Sequence, residues 1–202
     1  MATDIFPFSL QRHGISPLDS ETLRRYLYIC RHIRDGFSVL DAESGLGHGA
    51  YFLREYSPAS VLYALDSIAR YTELAATIHA DQEIRFLTGI PGDDALALPR
   101  FDCVTLLNAE RNIALTPEYI ATLAGSLFKG GLLALAFVNA TFYVNYPKKD
   151  ALPFLHNPEI IRHLLEDSGF STIDAKSQWP GQTEFSDGID GHICLIVAKK
   201  DC

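Results

Sequence analysis

Short β-rich runs alternate with longer helical patterns along most of this chain, and this alternation most constrains how it can fold. Residues 37–41 and 60–66 form short apolar runs, whereas residues 20–29 repeat apolar side chains at intervals of three and four. The short runs are typical of buried strands, and the longer repeat is typical of a helix that packs on one face. Strands that alternate with helices predict an α/β fold, in which a mostly parallel sheet carries helices on both faces.

The second half of the chain continues this pattern. Residues 132–138 are apolar throughout, as expected of a strand that is covered on both faces. Pro117 is typical of a helix start, and we expect that helix to end at Lys129-Gly130-Gly131. The remaining strands are predicted at 84–87, 102–107, 170–175 and 192–198, and the remaining helices at 68–79 and from 157 to 168.

Composition limits the partners and the compartment of this chain. Its 202 residues include 25 acidic and 17 basic side chains, a formal net charge of −8. Nucleic-acid binding favours a basic surface, so a nucleic-acid partner is not expected. No apolar run reaches the ~18–20 residues that span a bilayer, and the first residues do not resemble a secretory signal. Four scattered cysteines suggest neither disulfides nor a zinc site, so we expect no metal and a cytoplasmic protein.

The turn after the first strand carries the chemical information in this sequence. Gly45, Gly47 and Gly49 stand at alternate positions there. Glycines allow a sharp turn and close approach of a ligand, and the helix that follows presents free N–H groups. Asp66 ends the next strand, about 20 residues after the turn, where an acid can bind both hydroxyls of a ribose. The pair predicts a site for a ribose-containing cofactor.

Four motifs in this chain resemble those of one enzyme family. The segment 41–49, Asp-Ala-Glu-Ser-Gly-Leu-Gly-His-Gly, resembles the acid-x-Gly-x-Gly-x-Gly turn of class I S-adenosylmethionine-dependent methyltransferases. Residues 98–104, 127–133 and 164–170 are similar to that family's later motifs and follow in the same order. The resemblance implies a Rossmann-like fold with a seven-stranded, mostly parallel sheet, an antiparallel last strand, and S-adenosyl-L-methionine over the carboxyl ends of strands 1 and 2.

The resemblance also implies a domain layout and a set of cofactor contacts. We expect one domain over 1–202, with an N-terminal extension and helix at 1–35, a cofactor-binding half at 36–138 and a substrate side at 139–202. Asp41 would orient the glycine loop and Asp66 would bind the ribose, whereas the simpler alternatives are a turn former and a helix cap. The expected cofactor-binding residues are Asp41, Glu43, Gly45, Gly47, Asp66, Ser67 and Asn108.

Two positions depart from the family pattern. Glu43 stands where the family has the first glycine of its turn. A carboxylate there would crowd the methionyl end of the cofactor and repel its carboxylate by about 2–4 kcal/mol at intermediate dielectric. Ile90 stands where the family has the acid that binds the adenine amino group, and Asp93 or Asp94 would replace that acid if the loop is remodelled.

Two residues are candidates for catalysis. Glu110 follows the fourth strand, where it would accept a substrate proton, or it is a solvated loop acid. His156 would serve as a general base because the unperturbed pKa of histidine suits that role, but a histidine before a helix can also be a capping residue. Phe142, Tyr143 and Tyr146 would either stack on a flat or sugar-like substrate or seal the edge of the core.

These observations predict an enzyme that transfers a methyl group from S-adenosyl-L-methionine to a small-molecule or glycan acceptor. The alternative is a methyltransferase-like domain that has lost catalysis and serves as a binding or regulatory partner, which Glu43 and Ile90 favour. A nicotinamide-dependent oxidoreductase also uses a glycine turn and a strand-2 acid. The later motifs fit methyl transfer better than hydride transfer.

Overall fold

A computed structural model describes residues 20–107, 113–144, 154–180, 182 and 184–201. Five helices and eight strands alternate along these ranges. The helices are α1 (Ser20–Ile29), α2 (His48–Tyr56), α3 (Ala69–Ile78), α4 (Pro117–Gly125) and α5 (Pro158–Asp167). The strands are β1 (Ser38–Ala42), β2 (Val61–Asp66), β3 (Ile84–Thr88), β4 (Phe101–Leu106), β5 (Leu127–Val138), β6 (Phe170–Gln178), β7 (Ser186–Asp187) and β8 (Ile193–Lys200). A short 3₁₀ helix covers Asp94–Leu96.

All eight strands form one sheet in the order β3-β2-β1-β4-β5-β8-β6-β7. Strands β1 to β5 are mutually parallel, and β8 runs antiparallel to both of its neighbours, β5 and β6. The mostly parallel sheet with an antiparallel last strand is therefore confirmed. The expected number of strands is wrong by one, because the two-residue β7 pairs with the end of β6. A polar pair of residues is too short to show a strand period in the sequence.

The boundary between α4 and β5 also differs from the sequence expectation. Helix α4 ends at Gly125, and β5 begins two residues later at Leu127, ahead of Lys129-Gly130-Gly131. Strand pairing shifts from Phe101–Leu127 to Cys103–Leu132, so the glycine segment lies in an irregular part of β5. Gly130 has a φ of 79°, a conformation that glycine adopts without a steric penalty. The glycines mark this irregularity and not the end of the helix.

Two hydrophobic cores lie on opposite faces of the sheet. Val39 of β1 belongs to the core that α1 and α2 cover, and the next residue, Leu40, belongs to the core that α4 and α5 cover. This alternation follows from the two-residue repeat of a strand, and it confirms helices on both faces. None of the helices in the described ranges is both long enough and apolar enough to cross a bilayer.

Parallel pairing brings the carboxyl ends of three central strands to one edge of the sheet. Ala42 pairs with Leu65 in β2, and Asp41 pairs with Thr105 in β4. The loop after β1 therefore starts between the ends of β2 and β4. In open α/β sheets this edge is where ligands bind.

Helix α1 packs directly against the first turn of α2. The side chain of Tyr26 is 1% exposed, and its ring fills the space beside Gly49. A Cβ atom at position 49 would lie 2.0 Å from Cζ of Tyr26, far inside van der Waals contact. Gly49 is therefore required by this contact between helices, and it differs from the two loop glycines before it.

We predict that Gly49→Ala destabilises the fold by about 1–3 kcal/mol, because the added methyl overpacks the Tyr26 contact. Gly125→Ala is the matched control, since no atom lies within 4 Å of the Cβ position at the end of α4. Urea unfolding measures both variants. Equal free energies of unfolding for the two variants would contradict the packing role of Gly49.

Candidate cofactor site

The loop after β1 is held by its own backbone hydrogen bonds. The N–H of Ser44 donates to the carbonyl of Leu65 at 2.9 Å, and the N–H of Gly47 donates to the carbonyl of Ser44 at 3.0 Å. The first bond ties the loop to β2, and the second closes a tight turn. Gly45 and Gly47 have φ values of 55° and 76°, so this turn places both residues in the left-handed region that favours glycine.

The two loop glycines face different surroundings. A Cβ atom at Gly47 would lie 2.5 Å from the ring of Phe86, so this position allows close packing against β3. A Cβ atom at Gly45 would meet no atom within 4 Å. The backbone at Gly45 therefore borders open space, and it is the part of the loop that a ligand can approach.

Asp66 is joined to this loop at the end of β2. Its side chain is 5% exposed; one carboxylate oxygen accepts the N–H of Gly45 at 2.8 Å, and the other accepts the N–H of Ile68 at 2.8 Å. A carboxylate offers about four lone-pair positions, so each oxygen retains capacity for another donor. Asp66 thus caps the backbone, as the simpler alternative expected, and its contact with a ribose stays a prediction. Ser67, which follows it, is exposed.

Asp41 lies beneath the loop and is fully buried. Its carboxylate accepts the hydroxyl of Thr105 at 2.7 Å and the hydroxyl of Tyr26 at 3.1 Å. Burial raises the pKa of Asp41 to about 7, and the two hydroxyl donors oppose this shift. Asp41 therefore connects β1 to β4 and α1 through side chains, and its hydrogen bonds in the described part of the chain do not go to loop N–H groups.

Glu43 is the first residue of the loop and has a φ of 53°, unusual for a residue with a side chain. Its side chain is half-buried, and burial together with the charge of Asp66 raises its pKa to about 7. Burial, with a smaller effect of the Glu43 charge, raises the pKa of Tyr119 in α4. The Tyr119 hydroxyl is buried and has no hydrogen-bond partner among the described residues. Glu43 is thus a carboxylate near a second carboxylate and an unpartnered hydroxyl.

Two buried histidines support the loop from below. His48 is 6% exposed, and its ring meets that of His79 edge to face at 5.6 Å. Nε2 of His79 lies 3.1 Å from the carbonyl of Leu46, whereas neither ring nitrogen of His48 has a partner in the part of the chain that the structure describes. Burial and the neighbouring His79 lower the pKa of His48 to about 4, so the ring is neutral at pH 7.

The loop after β3 contains the second departure from the family pattern. The N–H of Gly89 donates to the carbonyl of Asp66 at 2.9 Å, which places this loop next to the glycine turn. Ile90 is 52% exposed, whereas Asp93 accepts the N–H of Ala95 and caps the 3₁₀ helix. An oxygen of Asp93 lies 3.5 Å from the Cβ position of Gly89. Asp93 is thus close to the end of β3, and its use in place of the missing acid stays a prediction.

Of the two candidate catalytic residues, His156 lies within the described part of the chain. It is half-buried, and its Nε2 lies 3.4 Å from both the carbonyl of Ile113 and the nitrogen of Leu115. The ring therefore connects the segment before α4 to the segment before α5, and burial lowers its pKa. Asn108, Glu110 and Tyr146 lie outside the described residues. The structure brings together Asp41, Glu43, Gly45, Gly47 and Asp66 at one edge of the sheet.

Three contacts at this edge were not predicted as parts of the site. Tyr26 and Thr105 hold Asp41, and Tyr119 lies within the field of Glu43. The sequence predicts the start of α4 at Thr116-Pro117, but this pattern does not indicate that the next turn, which carries Tyr119, faces the glycine loop.

We predict that Asp41 makes the free energy of unfolding fall as pH rises from about 4 to 7, and that Asp41→Asn removes this contribution. The folded-state pKa of Asp41 is raised, so its carboxyl group binds more protons in the folded protein than in the unfolded chain in this range. Glu43 contributes with the same sign and His48, whose pKa is lowered, with the opposite sign, and both contributions remain in the variant. Urea unfolding at several pH values measures the difference between the two proteins, and a variant with the same pH dependence as the parent would contradict this assignment.

We also predict that Glu43→Gly raises the free energy of unfolding by about 0.5–1 kcal/mol. A left-handed conformation costs a residue with a side chain about 1–2 kcal/mol, and the greater freedom of unfolded glycine offsets part of this gain. Ala97→Gly is the control, because Ala97 also has a positive φ, of 44°, but carries no charge. Thermal unfolding compares the two, and a destabilised Glu43→Gly variant would show that the side chain supports the fold.

The fold is shared with solved methyltransferase structures. An S-adenosylmethionine-dependent methyltransferase of Thermotoga maritima is 15% identical with a TM-score of 0.68, and the match covers 90% of each chain. A chain of the complex that contains the Haloferax volcanii Trm112 methyltransferase activator is 16% identical with a TM-score of 0.71, over 96% of this chain and 92% of that one.

A third similar structure was solved with bound S-adenosylhomocysteine. The magnesium protoporphyrin IX methyltransferase of Synechocystis is 18% identical with a TM-score of 0.66, over 95% of this chain and 92% of that chain. No family model and no curated protein sequence matches the chain. The sheet order and these neighbours show that the chain has the class I S-adenosylmethionine-dependent methyltransferase fold.

Proposed function

We propose that this protein uses S-adenosyl-L-methionine to methylate a small-molecule or glycan acceptor. The observation that carries this proposal is the hydrogen bond from the N–H of Gly45 to the carboxylate of Asp66. It joins the glycine turn and the strand-2 acid at the edge of the sheet where ligands bind. Neither element alone is specific, but together they form a cradle of the kind that a ribose-containing cofactor needs.

Most of the described residues around the glycine loop fit this cofactor. Asp66 has lone pairs left for two ribose hydroxyls, and the backbone at Gly45 borders open space. The Oγ atom of Ser44 is buried and has no partner within the described ranges, which leaves a donor at the loop. Glu43 is the one loop residue whose charge opposes the carboxylate of the cofactor. The cofactor supplies a methyl group made electrophilic by its sulfonium, so the protein needs chiefly to align the two reactants.

The segment after β5 supports a pocket wall for the acceptor. Asn139 is fully buried; its amide N–H₂ group donates to the carbonyls of Ile189 and Gly191, and its oxygen accepts from Thr141. These bonds fix the start of the segment. The ring of Phe142 then contacts the rings of Tyr143, Trp179 and His192 at centroid distances of 5.1, 5.6 and 6.1 Å.

This aromatic cluster lies near the carboxyl end of β5, where an acceptor can stack against it. A flat or sugar-like acceptor fits such a wall, and one structural neighbour acts on magnesium protoporphyrin IX, a small molecule. A hydroxyl acceptor would require Glu110 or His156 as the base, whereas an amine with a free lone pair requires none. We therefore favour a small molecule and retain a glycan as the other acceptor class.

A catalytically inactive domain that binds a regulatory partner is the second candidate. The observation in its favour is Glu43, which combines a positive φ with a half-buried carboxylate at the glycine position of the family. Such a domain would keep the fold and bind neither the cofactor nor its product. Calorimetry with S-adenosylhomocysteine separates the two functions: micromolar binding supports the enzyme, and no binding at millimolar ligand supports the inactive domain.

We predict that Asp66→Ala weakens binding of S-adenosylhomocysteine about 10- to 100-fold, because it removes hydrogen bonds to a charged acceptor. Asp81→Ala removes an exposed carboxylate after α3 and is the control. Circular dichroism of both variants shows whether the fold persists, since Asp66 also holds the backbone of the loop. An unchanged affinity in a folded Asp66→Ala protein would overturn the placement of the ribose.

A further inference from the structure

We infer that Glu43 makes the donor site a charge filter, which holds the sulfonium donor more tightly than its uncharged thioether product. The inference rests on the proposed function, because it concerns the same site. It gives a function to Glu43, the site residue that departs from the glycine of the family motif. The consequence for the enzyme would be weaker inhibition by its own product.

The backbone shows that Glu43 is held in place at a cost. It follows β1 directly, two residues before the N–H that Asp66 accepts, and its φ is 53°. Glycine would adopt this conformation without strain. Since the turn itself favours glycine, the carboxylate is explained by what it does beside the loop and not by the shape of the loop.

The surroundings of Glu43 leave its charge uncompensated in the part of the chain that the structure describes. The charge that acts on it there is that of Asp66, also negative, which lies at the end of β2. Across from these carboxylates, on α4, is the unpartnered hydroxyl of Tyr119. The half-buried position keeps solvent from screening the field as it would at a free surface.

Such a site distinguishes ligands by their net charge. S-adenosylmethionine carries a sulfonium, an ammonium and a carboxylate, whereas S-adenosylhomocysteine lacks the sulfonium charge. The two differ by one charge because the bonding electron pair stays on sulfur when the methyl group passes to the acceptor. At an effective dielectric of about 20, a carboxylate about 10 Å from the ligand charge changes the relative affinity by about tenfold for each unit of charge.

Titration calorimetry with four ligands at about pH 7.5 tests this inference. The ligands are 5′-methylthioadenosine, which lacks the amino-acid part, S-adenosylhomocysteine, S-adenosylmethionine and decarboxylated S-adenosylmethionine. We expect affinity to rise from the homocysteine to the methionine to the decarboxylated ligand, as net charge rises from zero to two. Glu43→Gln should reduce the ratio of S-adenosylmethionine affinity to S-adenosylhomocysteine affinity by about tenfold and leave 5′-methylthioadenosine within about twofold.

Glu55→Gln is the matched control, because it removes an exposed carboxylate from α2 and should leave every ratio unchanged. A second measurement uses the unaltered protein at about pH 5.5, where Glu43 is protonated and the ratio should approach that of Glu43→Gln. The titratable groups that enter this comparison are Asp66 on β2, Tyr119 on α4 and Asp41 on β1. Asp41 also titrates near pH 7, so the same pair of pH values is measured with Asp41→Asn, in which only Glu43 changes charge among these groups.

The possible failures are distinguishable. If none of the four ligands binds, both the proposed function and the charge filter are wrong. If all four bind, but neither Glu43→Gln nor the lower pH changes the affinity ratio, the charge filter is wrong and the proposed function stands. Should Glu43→Gln fail to fold, an affinity ratio in the unaltered protein that does not depend on pH overturns the inference by itself.

Discussion

The candidate site depends on the hydrogen bond between the N–H of Gly45 and the carboxylate of Asp66. Parallel pairing of Ala42 with Leu65 aligns the ends of β1 and β2, so a residue three positions into one loop reaches the last residue of the neighbouring strand. The bond turns Asp66 toward the loop and leaves the backbone at Gly45 beside open space. A ligand held there would contact both strand ends at once, which neither strand could achieve alone.

A second carboxylate, that of Asp41, is buried beneath this bond. The site depends on how the negative charge of Asp41 is stabilised or neutralised. Asp41 has two hydroxyl donors and no cation among its hydrogen-bond partners in the described ranges, so burial raises its pKa to about 7. A buried carboxyl group at such a pKa is partly protonated near neutral pH, which reduces the cost of desolvation. Tyr26 supplies one of the donors from α1, so the N-terminal helix becomes part of the floor of the site.

The sequence allowed prediction of what is local and failed where contacts join distant segments. The glycine turn, the strand-2 acid and the order of strands and helices follow from periodicity and spacing within about 30 residues. Tyr26 meets Asp41 across 15 residues and Thr105 meets it across 64, and neither contact leaves a local pattern. The two-residue β7 was missed for another reason, because it is formed by its pairing with β6 and not by its own composition.

At position 43 the backbone conformation favours glycine, yet the chain has a glutamate. The requirements of the fold do not explain this residue. Its φ favours glycine, its half-burial disfavours a charge, and the nearby Asp66 disfavours that charge further. None of these three effects is offset by a described contact that stabilises the carboxylate. Strained residues of this kind cluster at functional sites, and the charge filter that we propose would give the Glu43 carboxylate such a function. A domain that bound nothing would gain stability from glycine at this position.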